Sequence, residues 1–216
     1  MSAAPDTASS ASTDAGQNLR DLLKSGAPWQ QIQRHLDALD LSERLRQVLM
    51  VKRSGVKALY DRFESAPPAT VDEFVPPSTT GKTVIYEGRN SLLLFSRFQK
   101  RFFRTESGVV VGYNHQTWQF ITGPGYFVVQ AADGKPPVPS ELYIDYITEP
   151  PTIPEGWPAY KPNSRGFSRG VYFNMHDYMR RIADSVYVGK AYRAGKEVGA
   201  YFSLTLQPPT LAVRGR

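Results

Sequence analysis

The sequence predicts an α+β fold in which N-terminal helices precede an antiparallel β-barrel or β-sandwich. Its 216 residues change in character at Pro76-Pro77. Before this point apolar residues recur at helical spacing, and after it short runs rich in Val, Ile, Tyr and Phe alternate with turn signals such as Asp133-Gly134. Many short strands with turns between them are typical of barrels and sandwiches. The strands follow one another too closely for the helical crossovers of a parallel sheet.

The N-terminal part divides into a polar tail and a helical segment. Residues 1–17 are mostly Ala, Ser, Thr and Asp, which bury too little apolar surface to become ordered, so a disordered tail is expected. A helical segment is expected over 18–66. Within it one helix stops at Gly26, a second follows, and a capping pattern at Asp40–Glu43 starts a third that continues to about residue 63 with a kink at Gly55.

The β-rich domain is expected over residues 80–207. A Pro-, Gly- and Ser-rich loop, 149–169, interrupts it, and a long loop of this kind is often a lid or rim. One short helix near the C-terminus is predicted over 174–184, capped by Asn174, because Met175, Tyr178, Met179 and Ile182 form an apolar stripe. The strand-like runs are 83–88, 91–105, 109–114, 117–123, 126–131, 142–148, 185–193 and 198–206.

The run SLLLFSRFQKRFFRT, residues 91–105, mixes aromatic and basic side chains. Such a mixture suits either a nucleic-acid surface, where aromatic rings stack on bases, or a strand with one solvated face. Its own period fits both helix and strand. The turn signal Glu106-Ser-Gly108 leads directly into Val109-Val-Val111, so a β-hairpin is predicted. No RNA-recognition, KH or helix-turn-helix signature accompanies the run, and nucleic acid is not the expected partner.

Composition limits the classes of function. The chain contains no cysteine, which excludes disulfides, thiolate catalysis and cysteine-ligated zinc. Its net charge of +6 favours anionic partners through long-range attraction, although the basic residues are spread along the chain. No run of about 18 apolar residues predicts a membrane span, and the first residues lack a secretory signal, so a cytoplasmic location is expected.

The β-rich part resembles the GXWXG domain family of uncharacterised bacterial proteins. Four stretches carry the likeness: KALYDRFESAPPATVDEFV at 57–75, VIYEGRN at 84–90, RFQKRFFR at 97–104, and YFNMHDYMRRIADSVYVGKAYRAG at 172–195 followed by GAYFSLTL. Gly88 and Arg89 match the naming motif, with Tyr86 at the place of its Trp, and Lys100 and Phe102 match a second strand motif. The resemblance implies a closed, lipocalin-like (calycin-type) barrel with a ligand-sized interior. It implies no particular reaction.

Few residues offer catalytic or metal-binding chemistry. The three histidines, His35, His115 and His176, lie in different segments without metal-ligand spacing, so neither a metal nor another cofactor is predicted. His115 belongs to YNHQTW, residues 113–118, which fits either a cavity mouth or a decorated turn. Asp145 is a carboxylate within an apolar strand, and it would pair with an arginine such as Arg101 if it faced inward. Together, His115 and Asp145 are the candidates for an acid/base pair.

The predicted function is the binding of a small, largely apolar molecule inside the barrel. Two other hypotheses stay open at this stage. One is an enzyme of isomerase or hydrolase type that acts on a hydrophobic substrate in the same cavity through His115 and Asp145. The other is a scaffold that binds a protein partner, or itself, through the helices at 29–63. The predicted ligand-binding residues are Tyr86, Arg101, Tyr113, His115, Trp118, Tyr126, Tyr143 and Asp145.

Overall fold

The computed structural model describes residues 17–91, 96–116, 123–131, 138 and 141–209. The predicted tail, apart from residue 17, and the predicted strand at 117–123, apart from its last residue, lie outside this part of the chain. The described helices are α1 (Leu19–Ser25), α2 (Trp29–Asp37), α3 (Leu41–Leu49), α4 (Arg53–Arg62), α5 (Val71–Phe74) and α6 (Ser168–Tyr172), with a short 3-10 helix at Pro77–Thr79. None of these helices is both long and apolar enough to cross a membrane.

Eight antiparallel strands form a closed barrel, so the predicted α+β class with helices before a barrel is confirmed. Each strand pairs with the next in sequence, and β8 closes the barrel by pairing with β1, where Tyr86 lies opposite Leu206. This architecture is compatible with a lipocalin-like fold. The strands are β1 (Thr83–Asn90), β2 (Arg97–Arg104), β3 (Val110–His115), β4 (Phe127–Ala131), β5 (Leu142–Asp145), β6 (Met175–Ala183), β7 (Val186–Arg193) and β8 (Lys196–Leu206).

The hairpin predicted from the aromatic and basic run is confirmed by the pairing of β2 with β3, from Gln99 opposite His115 to Arg104 opposite Val110. The chain reverses at Gly108, whose φ of 84° suits glycine because it has no Cβ to clash. Since side chains alternate along a strand, Phe98 and Phe102 share the inner face of β2 with Lys100, and Arg97 and Arg101 lie on the other face.

The prediction of a helix over 174–184 is wrong, because Met175–Ala183 form strand β6. Asn174 has a φ of 55° and is no helix cap, and β6 pairs with β5 on one side and β7 on the other. The apolar residues at 175, 178, 179 and 182 fit a helix by spacing alone. In the barrel, backbone hydrogen bonds to two neighbouring strands outweigh that local preference. The short helix near the C-terminus is α6, directly before this strand.

The predicted third helix is also two helices. Its start is confirmed, since the Asp40 side chain accepts a hydrogen bond from the backbone N–H of Glu43 at 2.9 Å. However, α3 ends at Leu49, and α4 begins only after Lys52, whose backbone is extended. Val51, which lies in this break, is almost fully buried. It belongs to the same apolar cluster as Val48 of α3 and Val56 of α4, so the break keeps the buried faces of the two helices connected.

The helices cover the outer wall of the barrel at β6, β7 and β8. Their apolar stripes pack in one cluster with the outward residues of these strands: Ile32, Leu36, Val48, Val56, Leu59 and Phe63 with Ile182, Val186, Val188 and Tyr201. Arg180 of β6 fixes α4 to the wall, because its guanidinium donates to the backbone oxygen of Tyr60 at 2.6 Å and to Glu141 at 2.5 Å. The apolar stripe that the scaffold hypothesis would leave for a partner is thus packed against the barrel.

The barrel interior is filled largely by aromatic and aliphatic side chains. Phe74 of α5 enters one end, which we call the Phe74 end, and its ring centroid lies 4.7 to 4.8 Å from those of Tyr86, Phe102 and Tyr187. Tyr172 of α6 packs into the other end, which we call the Tyr172 end, where it stacks on Tyr146. Both ends are therefore closed by an aromatic ring from a short helix.

Candidate functional site: a buried amine in the barrel

Three glycines on the inner face of the barrel each lie under a phenylalanine ring of the neighbouring strand. The cross-strand pairs are Gly88 with Phe98, Gly112 with Phe127 and Gly189 with Phe202. A Cβ placed on any of these glycines would lie 2.2 to 2.5 Å from a ring carbon. Because glycine has no side chain, each ring lies flat across the strand backbone. Aromatic rings consequently reach the centre of the barrel from several sides.

Lys100 of β2 lies among these rings. Its side chain points inward, and the residue is only 2% exposed. The Nζ atom is 4.9 Å from the ring centroid of Phe127, 5.0 Å from that of Tyr146 and 5.2 Å from that of Phe202. These distances are within the range of cation–π attraction, which strengthens when the cation is removed from water.

Three polar side chains complete the surroundings of this amine. Lys100 Nζ donates to Asn114 Oδ1 at 3.0 Å, to Asp177 Oδ2 at 3.1 Å and to the hydroxyl of Tyr146. The Tyr146 hydroxyl in turn donates to the same Asp177 oxygen at 3.1 Å. We call Lys100, Asn114, Tyr146 and Asp177 the Lys100 cluster. An ammonium group has three N–H bonds, and each of them has an acceptor in this cluster.

Burial dominates the electrostatics of the cluster. Removal from water lowers the pKa of Lys100, and the Asp177 carboxylate opposes this shift without cancelling it. The same burial, reinforced by the charge of Asp177, raises the pKa of Tyr146 well above its usual range, so Tyr146 stays a hydroxyl that can donate. The barrel thus holds an amine that loses its proton more readily than an exposed lysine, next to a carboxylate and a phenol.

The Lys100 cluster lies below the Tyr172 end of the barrel. The Tyr172 ring stacks on Tyr146 with centroids 5.5 Å apart and planes 12° apart. Its hydroxyl accepts a hydrogen bond from Gln116 at 3.0 Å, and its ring packs on Gly125. Helix α6 thereby separates the cluster from solvent on this side. A pocket of about 80 Å³ adjoins this end and is lined in part by Tyr146, Asn163 and Phe173.

One of the eight predicted ligand-binding residues, Tyr86, faces the interior of the barrel. It lies toward the Phe74 end, where its hydroxyl donates to the backbone oxygen of Phe74 at 2.8 Å. Trp118 lies outside the described residues. The other six lie on the outer side of the wall, because their neighbours along the chain, such as Phe102, Phe127 and Ile144, belong to the interior cluster: Arg101, Tyr113, His115, Tyr126, Tyr143 and Asp145.

Two of these outer tyrosines pack against the long loop at 149–169. The ring centroid of Trp157 in the loop lies 4.7 Å from that of Tyr113 and 6.3 Å from that of Tyr126. Tyr126 also donates its hydroxyl to the backbone oxygen of Pro158 at 2.5 Å. The loop, which the sequence suggested as a lid or rim, runs across the outer wall at these contacts.

The structure places His115 and Asp145, the predicted acid/base pair, in different clusters. Asp145 lies 3.5 Å from His176 and accepts hydrogen bonds from the Thr148 hydroxyl at 2.6 Å and the backbone N–H of Ile147 at 2.8 Å. Burial by itself raises the pKa of Asp145, but these hydrogen bonds outweigh it and lower the pKa to about 2. His115 instead packs edge-on against Tyr113. Asp145 is thus built to stay ionised on the outer wall.

Sequence reasoning missed the Lys100 cluster as a site. One signal was present, because strand alternation places Lys100 on the same face as Phe98 and Phe102. A lysine on an apolar strand face is either solvated or paired inside. Asp177 gave no such signal, since its segment was expected to be a helix.

No protein-family model matches the chain, and neither does any curated protein or solved structure. The resemblance to the GXWXG domain family gains no support from these comparisons. The geometry of the Lys100 cluster is therefore the basis on which a function can be inferred.

Proposed function

We propose that the Tyr172 end of the barrel binds a small, largely apolar molecule and that the Lys100 cluster is its polar contact. The observation that carries this proposal is the fully hydrogen-bonded amine of Lys100 among aromatic rings, 2% exposed, in the interior of a closed barrel. Sites for small molecules combine an apolar lining with a few convergent polar groups, which is the composition found here.

The energetics of buried ion pairs support a role beyond stability. Moving Lys100 and Asp177 out of water costs several kcal/mol for each ion, and their attraction offsets this only with good geometry. Apolar residues of similar volume at such positions are often as stabilising or more so. Titratable groups with shifted pKa values in a protein interior are also concentrated at functional sites. A barrel that needed only to fold would gain little from this ion pair over a pair of apolar side chains.

The Tyr172 ring indicates where such a molecule would lie. It stacks in parallel on Tyr146, which belongs to the Lys100 cluster, and it comes from a five-residue helix rather than from the barrel wall. A ligand with one aromatic or alicyclic ring would replace this stacking once α6 moves outward. An oxygen acceptor on that ligand would then replace one of the present neutral acceptors, Asn114 or Tyr146, of the Lys100 N–H bonds. The expected ligand class is therefore a ring-sized molecule with one polar oxygen.

Benzyl alcohol is a suitable first probe, because it has one ring, one oxygen and no reactive carbonyl. Binding to the purified full chain is measured by saturation-transfer NMR and isothermal titration calorimetry. Tyr172→Ala removes the competing ring and is expected to strengthen binding, and Val171→Ala on the same helix, 39% exposed, is the matched control. Lys100→Met is expected to weaken binding about tenfold or more, since a hydrogen bond to a charged group contributes about 1.5–3 kcal/mol.

Lys82→Met controls for the loss of a lysine charge, because Lys82 is exposed. The proposal fails if benzyl alcohol does not bind either the native chain or Tyr172→Ala. It also fails if Lys100→Met and Lys82→Met bind the probe equally well while circular dichroism shows that both are folded. Either result would leave the Lys100 cluster as a structural element of the barrel.

A further inference from the structure

The Lys100 cluster contains the groups that condensation of an amine with a carbonyl requires. Such a reaction needs an uncharged amine, a group that accepts its proton and an acid that protonates the carbonyl oxygen. Lys100 Nζ hydrogen-bonds to the Asp177 carboxylate at 3.1 Å and to the Tyr146 hydroxyl. The Tyr146 hydroxyl and Asp177 Oδ2 are themselves 3.1 Å apart. Amine, acid and base thus form one closed triangle.

We propose that Lys100 forms a reversible imine with a small apolar aldehyde or ketone that binds at the Tyr172 end. This inference rests on the proposed binding function and narrows its ligand class to molecules with a carbonyl group. The aromatic rings around the amine would hold the apolar part of the ligand. The carbonyl oxygen would lie against the Tyr146 hydroxyl.

The reaction balances with the groups present. Lys100 first passes a proton to Asp177 and becomes a neutral amine. Its nitrogen then bonds to the carbonyl carbon as the C=O π bond breaks, Tyr146 protonates the oxygen, and the Tyr146 oxygen takes a proton back from the nitrogen. The C–O bond breaks next, the proton on Asp177 leaves with the oxygen as water, and the nitrogen lone pair completes the C=N bond.

The product is a protonated imine beside the Asp177 carboxylate, so the charge of the cluster is the same before and after the reaction. The imine nitrogen has one N–H bond where the ammonium had three. Asn114 and Tyr146 therefore lose a donor. The Tyr146 hydroxyl lies 3.5 Å from Asn114 Oδ1, and a small rotation lets it donate there instead. The loss of the lysine hydrogens can thus be compensated within the cluster.

The surroundings favour this chemistry at Lys100 over the other lysines. Burial lowers the pKa of Lys100, which increases the fraction of neutral amine. Lys190 makes an instructive contrast, because it also lies over three tyrosine rings. Burial lowers the pKa of Lys190 too, but its hydrogen bond to Glu197 at 2.6 Å and the nearby tyrosines outweigh that effect and raise it. Lys190 therefore stays protonated and serves as an internal control.

The test uses benzaldehyde and sodium cyanoborohydride on the full chain, because the hydride converts an imine into a stable benzyl amine. Peptide mapping by mass spectrometry then gives the rate of labelling at each lysine. Lys100 is expected to label at least about tenfold faster than Lys190, because burial leaves a larger fraction of its amine neutral. Tyr146→Phe keeps the ring and removes the acid, so it is expected to slow labelling at Lys100 and leave labelling at Lys190 unchanged.

Binding of benzyl alcohol to the same preparation separates the two proposals. If benzyl alcohol binds but Lys100 stays unlabelled, the imine proposal is overturned and the binding function stands. If neither occurs, both are overturned. If Lys100 labels rapidly and Tyr146→Phe, shown by circular dichroism to be folded, labels it equally fast, the acid role assigned to Tyr146 is refuted.

Discussion

Removing the amine at position 100 should destabilise the barrel by about 3 kcal/mol. Lys100→Met leaves the Asp177 carboxylate in the interior without its cation, and the loss of one partner from a buried ion pair typically costs about 3–5 kcal/mol. The lower end is expected here for two reasons. Asp177 keeps the hydrogen bond from Tyr146 at 3.1 Å, and methionine sulfur packs well against the rings around position 100.

A double-mutant cycle isolates the ion pair from these effects. Asp177→Leu alone leaves an unpaired ammonium, whereas Lys100→Met with Asp177→Leu leaves neither charge. The double variant is therefore expected to be more stable than the sum of the single losses predicts, by about 2 kcal/mol or more. Free energies of unfolding come from urea titrations followed by circular dichroism. The slope of the free energy against urea concentration is compared between the variants to exclude a change in the denatured state.

Lys82→Met on the exposed surface is the control, and it is expected to change stability by less than about 0.5 kcal/mol. The reasoning is refuted if Lys100→Met costs no more than this control. It is refuted as well if the two single losses add without coupling, because the Lys100 and Asp177 side chains would then not form a buried pair.

Three further predictions concern the outer wall, the interior and the Phe74 end. Asp145 has a pKa of about 2 against an ordinary value of 3.8, so its contribution to stability is present above pH 4 and is lost as the pH falls toward 2. Asp145→Asn should therefore lower the free energy of unfolding by on the order of 1–2 kcal/mol at pH 7 and by little at pH 2. Gly112→Ala should cost more than Gly88→Ala and about 1–3 kcal/mol, because its Cβ would meet both the Phe127 ring at 2.3 Å and a backbone oxygen at 2.6 Å. Phe74→Ala should cost about 3–5 kcal/mol, since it empties a fully buried, ring-lined space.

Urea unfolding measures all three changes, and each has an outcome that contradicts it. If Asp145→Asn lowers the free energy of unfolding equally at pH 2 and pH 7, ionised Asp145 does not stabilise the fold. If Gly112→Ala and Gly88→Ala lower the free energy of unfolding equally, the backbone around Gly112 shifts without strain to accept the added Cβ. Phe167→Ala, at a side chain 76% exposed, is the control for Phe74→Ala, and similar losses at both positions would contradict the closure of the barrel by Phe74.

The strand run and the hairpin between β2 and β3 could be predicted from the sequence because their signals are local. The period of the 91–105 run fits both helix and strand, but the turn signal that follows it, with the next run rich in Val, indicates a hairpin. Helix starts were equally accessible, as the cap at Asp40 shows. The break between α3 and α4 was not, because residues 50–52 contain no proline, glycine or capping side chain that would mark it.

The sequence by itself determined that helices precede strands and which residues share a face of each strand. Only the tertiary structure decided that 174–184 is a strand, because that outcome depends on hydrogen bonds to β5 and β7. It also decided which strand faces are interior, since closing the sheet selects one face of every strand together. The Lys100 cluster depends on both decisions. Lys100 and Asp177 are 77 positions apart, and only the closed barrel brings the amine, the carboxylate and the Tyr146 hydroxyl within hydrogen-bonding distance.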